Sequence, residues 1–364
     1  MPQEGRGPVN RVRRRPPTQT RPARTLRLGG GPRGLGLRVS LRQTIVLGAL
    51  AVVLFGLAVL ALMQGEYHLS PGEVLHTLTG GGPRLARYFV TEVRAPRVLA
   101  AILVGVALGL SGAIFQVVSG NPLGSPDIIG FTHGAATGAL LQIIVFDAGP
   151  GGVALGAVLG GLGTAVVVWG LTRRTGLGGY RVVLIGIGVG STLSALNSLL
   201  VVRASLTQAQ TAATWLVGSL NAMSWAKVTL LGIALLILLP GLLWLARPLT
   251  ALMYGDAVAA GIGVPVGRVR VLALFVGVLL VALATATTGP VAFVALAAPH
   301  ICRTLTRVTG AGLAGAGLTG AVLVLGADLL AQHALPGTLA VGVVTGALGG
   351  CYLVYLIAAE RRRP

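Results

Sequence analysis

Residues 94–130 read RAPRVLAAILVGVALGLSGAIFQVVSGNPLGSPDIIG. Between Val98 and Val118 this stretch carries no charge, and Ser111 and Gln116 are its only polar side chains. A helix of about 20 such residues rises about 30 Å, the thickness of a bilayer core. Arginines open it, and Gly120-Asn121-Pro122 followed by Ser125-Pro126-Asp127 closes it, so it reads as one membrane crossing with polar boundaries. The rest of the chain has the same character. Its 364 residues are 54% hydrophobic and 10% charged, where a soluble chain has about 25% charged residues. A water-soluble globule is excluded. The 56 glycines lie among Leu, Val and Ala without a G-x-y period, which excludes collagen and low-complexity disorder. Cys302 and Cys351 both lie in apolar stretches, so no disulfide framework or C-x-x-C site is expected.

The same ruler applied along the chain gives ten candidate spans, near 43–63, 96–118, 128–146, 153–171, 182–202, 225–246, 271–288, 290–306, 312–331 and 338–359. The expected fold is therefore all-α and polytopic, with about ten transmembrane helices; only the Gly289-Pro290 break separates the seventh from the eighth. The formal net charge of +19 is concentrated at the N-terminus, where residues 1–42 hold eleven arginines against Glu4. This Pro-, Arg- and Gly-rich segment has no apolar periodicity and is expected to be a disordered basic tail. It lacks the interleaved aromatics of a nucleic-acid arm, so no nucleic-acid partner is expected. Placed in the cytoplasm, it sets an orientation in which twenty-two basic residues lie inside and six outside. The resulting division is a cytoplasmic tail at 1–42, a ten-helix domain at 43–359 and a cytoplasmic C-terminal tail at 360–364.

Glycine pairs at four-residue spacing recur within the spans: Gly105 with Gly109, Gly134 with Gly138, Gly156 with Gly160, Gly186 with Gly190, and Gly346 with Gly350. In lipid such pairs let helix backbones approach closely, because apolar burial gives no drive between helices there. A weaker repeat is Arg97-Val98-Leu99-Ala100, opening the second span, against Arg270-Val271-Leu272-Ala273, opening the seventh. An offset of five spans puts the copies in opposite orientation, the pattern of inverted-repeat transporters, although four residues can match by chance.

Motifs for chemistry are sparse. Lys227 is the only lysine and no P-loop precedes it, so the chain has no ordinary means of hydrolysing ATP. Gly186-Ile187-Gly188-Val189-Gly190 lies inside a span and lacks the strand of a dinucleotide fold. The five histidines are scattered, and neither a metal site nor a cofactor is expected. Asp328, inside the ninth span, admits two readings, an intramembrane functional acid or a helix–helix hydrogen bond. The loop Gly120–Gly130 reads as a turn whose Ser125 or Asp127 caps the next helix. The loop from Gly255 to Arg270 has room for one short helix and is unusually apolar, which suggests that another protein covers it.

With these residues in view, the chain resembles the FecCD-type permease subunits of type II ABC importers for iron-siderophore complexes, a family that includes vitamin B12 and haem permeases. The resemblance runs from about 43 to 359. It is carried in order by Arg94-Ala95-Pro96-Arg97, Gly120-Asn121-Pro122-Leu123, Gly255-Asp256, Gly261 to Val264, Gly289-Pro290 with Phe293, Pro299-His300, Ala327-Asp328 and Val341 to Thr345. Ser119 to Ala135 and Gly349-Gly350-Cys351-Tyr352 look most like the ferric-enterobactin branch.

The resemblance implies a permease fold with inverted repeats and a non-catalytic role in the bacterial cytoplasmic membrane. The implied cargo is a ferric siderophore, with a catecholate favoured over B12 or haem. The implied partners are a second permease subunit in a heterodimer, two cytoplasmic ATPases and an extracytoplasmic siderophore-binding protein. Gly255, Asp256, Ala259, Gly261 and Val264 would form the element seated in the ATPase cleft. Arg94 and Arg97 would face outward to the binding protein, unless they merely snorkel to the interface. Gln332 stands where some members carry a third docking arginine, with His333 beside it. Gly179-Tyr180 matches the cytoplasmic gate, and Ser191, Ser194 and Asn197 are candidate pathway-lining residues. The rival from another class, an ion-coupled secondary transporter, would need intramembrane acids, for which only Asp328 qualifies in this reading.

Overall fold

The computed structural model describes residues 24–28, 35–39, 41–65, 67–173, 179–307, 310–333 and 339–360. The chain divides into two units, Met1–Ile45 and Val46–Pro364. In the first, β1 (Arg24–Leu28) pairs antiparallel with β2 (Leu35–Val39), Leu26 opposite Leu37. The sequence reading expected no regular structure there, and the backbone pairing of these two segments corrects it. The rest of the expected tail, and residues 361–364 of the expected C-terminal one, lie outside the described residues.

In chain order the helices are α1 (Leu41–Met63), α2 (Pro71–Leu78), α3 (Arg84–Arg87), α4 (Ala95–Ser119), α5 (Phe131–Ile144), α6 (Pro150–Thr172), α7 (Gly179–Arg203), α8 (Leu206–Val217), α9 (Trp225–Leu252), α10 (Asp256–Gly261), α11 (Val266–Thr288), α12 (Val294–Thr306), α13 (Leu313–His333) and α14 (Val341–Glu360). A π-helical turn, Tyr88–Arg94, joins α3 to α4. Short helices outside the spans start on their own caps: Ser70 with Glu73 for α2 and Ser205 with Gln208 for α8 form reciprocal capping boxes.

Among the described residues, seven helices are long and apolar enough to cross a membrane: α1, α3 through α4, α6, α7, α9, α11 and α13. The other three predicted spans coincide with α5, α12 and α14. Two of these are cut short for a visible reason. The chain before α5 turns through Gly120 and Gly130 at positive φ, and the chain before α12 leaves α11 at Gly289 and enters α12 through Phe293, also at positive φ. Both breaks contain prolines, which cannot continue a helix.

The core is built on α4, which packs against α9, α11, α12 and α13. Two glycine seams set the closest approaches. Any side chain at Gly105 or Gly109 would strike the α13 backbone at Gly320 or Ala316, and any at Gly134 or Gly138 would strike α6 at Gly160 or Gly156. Gly186 and Gly190 meet Ile129 and Gly130 in the same way, whereas Gly346 and Gly350 face open space. Some polar groups in this core find partners on neighbouring helices, as a medium without water favours. Ser111 donates to Gly277 O at 2.7 Å and Gln116 Nε2 to Leu296 O at 3.1 Å. The outer faces are apolar and exposed, for example Val52 and Phe55 on α1 and Leu236 and Ile237 on α9. For a lipid-bathed bundle that is the solvated surface.

Candidate transport site and docking faces

The two helix breaks meet. Gln116 and Gly112 on the last turns of α4 touch Leu296 and Ala295 at the start of α12, so the Gly289–Phe293 segment dips back into the bundle beside residues 120–130. Non-helical backbone at such depth is tolerated where it is buried in protein or lines a cavity. A cavity of about 560 Å³ lies there, between the start of α5, the middle of α7 and Pro290 and Ala292. Its lining includes the polar residues Asp127, Thr132, His133, Ser194, Asn197 and Ser198 and the apolar residues Ala136, Val201, Val202 and Leu216. An adjoining recess adds Ser191.

Among the polar residues of this region the hydrogen bonds divide unequally. Ser125 caps the turn, accepting from Ile128 N at 3.3 Å. Thr132 Oγ1 donates to Asp127 Oδ1 at 2.5 Å, and Asp127 Oδ2 is shut off from solvent. Asn197 is committed: it accepts from Thr137 Oγ1 at 2.7 Å and donates to His133 O at 3.2 Å, linking α5 to α7. Of the three predicted lining residues, Ser191 and Ser194 thus present free side chains while Asn197 braces the wall. Asp127, Thr132, His133 and Ser198 were not predicted as lining. Ser-Pro-Asp read as a turn and His133 as scattered, because contact between α5 and α7 is invisible along the chain.

At the Arg94 end of α4 the two arginines expected to face outward do different things. Arg94 turns inward: Nη1 donates to Leu62 O at 2.8 Å and Nη2 to Tyr67 O at 2.6 Å, closing the C-terminal end of α1, and Phe89 lies beneath the guanidinium. It is 7% exposed, so the outward-facing placement is corrected; the orphan carbonyls of α1 attract the donor fork more strongly than solvent does. Arg97 makes a bidentate pair with Asp328 on α13, Nε to Oδ2 at 2.9 Å and Nη2 to Oδ1 at 2.8 Å, while Nη1 reaches Asn221 at 2.9 Å. Gln332 donates to Asp328 Oδ2 at 2.8 Å, and His333 is exposed. The intramembrane acid therefore has a cation of its own. On α3, Arg84 and Arg87 are exposed.

At the opposite end, α10 is a single short helix between Gly255 (φ +100°) and Gly263 (φ +85°). Asp256 pairs with Arg270 through two bonds of 2.8 Å. Ala259 is buried and Val264 N closes on Ala259 O at 3.0 Å, whereas Gly261 is exposed beside the apolar side chains of Tyr254, Val258 and Ile262. Gly179 and Tyr180 open α7, with Tyr180 exposed; residues 174–178 of that loop lie outside the described residues.

Residues 50–359 match the model of the FecCD transport family. The chain belongs to the FecCD transport family. This FecCD member is 44% identical, over 83% of its length and 92% of the relative's, to the ferric enterobactin transport system permease protein FepG of Escherichia coli (strain K12). It is 40% identical to the achromobactin permease CbrC of Dickeya dadantii over 89% and 92% of the two chains. The vitamin B12 permease BtuC of Klebsiella pneumoniae is more distant, at 32% over 85% and 94%. Among solved structures, a metal-chelate type ABC transporter in an inward-facing conformation superposes with a TM-score of 0.78 at 29% identity, covering 87% of this chain and 99% of that one. The FecCD chain is thus a multi-pass membrane permease subunit with the type II importer fold.

Proposed function

We propose that this chain is the permease subunit of an ATP-driven importer that moves a ferric siderophore, of catecholate type, across the bacterial cytoplasmic membrane. The observation that carries the cargo class is the gradient of identity: 44% to a ferric enterobactin permease against 32% to a B12 permease over comparable spans. ATP hydrolysis belongs to two partner subunits, since the sequence lacks a phosphate-binding loop. Their seat is α10 with its exposed Tyr254, Val258 and Ile262, an apolar patch in a loop region that a partner would cover. The extracytoplasmic binding protein docks on the face around Arg97, with Arg84 and Arg87 as exposed cations that have no carboxylate partner among the described residues, and Gln332 acting through Asp328. A second, different permease completes the pathway. Both termini are cytoplasmic.

Mechanistically, docking and ATP binding rock the two permeases between outward and inward states. The cargo passes along α5 and α7, where small residues and hydroxyls give a smooth wall, and Tyr180 lies at the cytoplasmic mouth. Proteoliposomes holding the chain, its partner permease, ATPases and binding protein should take up labelled ferric enterobactin in an ATP-dependent manner and leave cobalamin and haem outside. Preferential uptake of cobalamin or haem would overturn the cargo, and uptake without the ATPases would overturn the mechanism.

A further inference from the structure

The one β-sheet among the described residues is the β1–β2 ribbon, and its register sorts residues by chemistry. In an antiparallel pair, residues directly opposite share a face and successive residues alternate between faces. Leu26 with Leu37 and Leu28 with Leu35 therefore fall on one face, joined by Val39 opposite Arg24 at the open end. The other face takes Thr25 opposite Arg38 and Arg27 opposite Gly36. Five aliphatic residues are thus set against a face whose only charges are Arg27 and Arg38. The ribbon precedes residue 50, where the match to the transport family begins.

A two-stranded ribbon alone in water is marginal at best, so its apolar face needs a cover. The chain brings one close. β2 ends at Val39 and α1, which is apolar and long enough to cross a membrane, begins at Leu41. At about 3.5 Å per residue, Val39 lies within about 7 Å of the start of that helix. The helix has a use for an anchor: α1 contains no fully buried residue, so packing against the bundle does little to set its depth, and interfacial anchors set depth where packing does not. How far the ribbon can sink is limited by its own backbone. Both of its edges carry unpaired N–H and C=O groups, which need water and keep it out of the hydrocarbon. The apolar face of an interfacial segment reaches about 5–10 Å into the boundary between headgroups and acyl chains, which leaves the opposite face level with the lipid phosphates.

We propose that the β1–β2 ribbon is a membrane-surface anchor for α1, its face of Leu26, Leu28, Leu35, Leu37 and Val39 lying on the acyl boundary and its Arg27 and Arg38 binding the phosphates of anionic lipid. Arginine suits this role because its planar donor fork takes phosphate oxygens two at a time. The anchor requires only the membrane-spanning fold, whatever the cargo.

The test places one cysteine at a time in the full chain, as Leu35→Cys, Gly36→Cys, Leu37→Cys, Arg38→Cys and Val39→Cys, after Cys302→Ala and Cys351→Ala have removed the native thiols. Each variant is labelled with a fluorophore and reconstituted into vesicles of phosphatidylglycerol and phosphatidylcholine in equal parts, containing a lipid with a nitroxide high on its acyl chain. Quenching should alternate, strong at 35, 37 and 39 and weak at 36 and 38. A flat profile, or alternation in the opposite phase, would overturn the anchor. Each arginine near an anionic surface raises the bound population about fivefold, so Arg27→Gln with Arg38→Gln should lower the bound-to-free ratio read at Leu37→Cys about thirtyfold. Vesicles of phosphatidylcholine alone should lower it in the same direction, and equal quenching with and without phosphatidylglycerol would overturn the binding of anionic lipid. Alternation that appears only when the importer's ATPase subunits are added would give the face to a protein and overturn the proposal.

Discussion

The two copies of Arg-Val-Leu-Ala end in the same chemistry at opposite ends of the bundle. Arg97, opening α4, forms a bidentate pair with Asp328, and Arg270, near the start of α11, forms one with Asp256, all at 2.8–2.9 Å. Their surroundings differ. Asp328 is 2% exposed and Arg97 20%, whereas Asp256 is 52% exposed beside Arg270 at 15%. The first pair joins helices 231 residues apart in sequence and is reinforced by Asn221 and Gln332; the second closes a loop of 14 residues. One motif thus serves fold assembly where it is buried and loop orientation where it is wet. The physical distinction is the cost of a broken pair: in a buried pair the survivor is a stranded charge, and in an exposed pair water replaces the partner.

The largest effect should come from Asp328→Ala. Arg97 would keep only Asn221, and the loss should be about 3–5 kcal/mol, read as a lowered unfolding midpoint of the purified protein. Removing both charges separates attraction from stranding. The double variant Arg97→Met with Asp328→Leu should recover most of that loss, because an apolar pair of similar volume is often neutral against a buried ion pair. The double variant should nonetheless weaken capture of the binding protein, since the face loses a cation; recovery of stability together with unchanged capture would remove Arg97 from the docking proposal. Next in size is Arg94→Ala, which deprives the end of α1 of its donors and should cost about 1.5–3 kcal/mol. If Arg94→Ala left stability untouched but abolished capture, the inward geometry would be the wrong guide to its role.

How far this contrast was legible in the sequence depends on the length scale of each contact. Helix positions follow from apolar runs, and the four-residue glycine pairs mark the α4–α13 and α5–α6 seams because close approach imposes a local rule. The same rule failed at Gly346 and Gly350, which face open space, while Gly342 and Gly349 press on Val217 O and Phe293. Asp256 with Arg270 lies within one loop and is nearly readable. Arg97 with Asp328 is not: each residue looked functional alone, one as a docking cation and one as a costly acid, and only the fold makes them partners. Asp127 escaped for a related reason. Ser-Pro-Asp has a complete local explanation as a helix-start turn, and nothing local reports that the break before α12 folds back onto it.

The smallest effect should come from Asp256→Ala, and it is the sharper test for that reason. Solvent screens the pair, so the loss in stability should stay within about 1 kcal/mol and shrink as salt is raised. The turns that shape α10 do not depend on it: Ala259 N still closes on Gly255 O and Val264 N on Ala259 O, both at 3.0 Å. What changes is the anchoring of the first turn of α10 to α11. If α10 is the ATPase seat, ATP-driven uptake should fall several-fold in a protein whose unfolding midpoint has barely moved, and Arg270→Ala should behave alike. A stability loss as large as that of Asp328→Ala would show that the two ends do not differ as their exposure implies. Unimpaired uptake would instead show that the pair orients nothing that a partner reads.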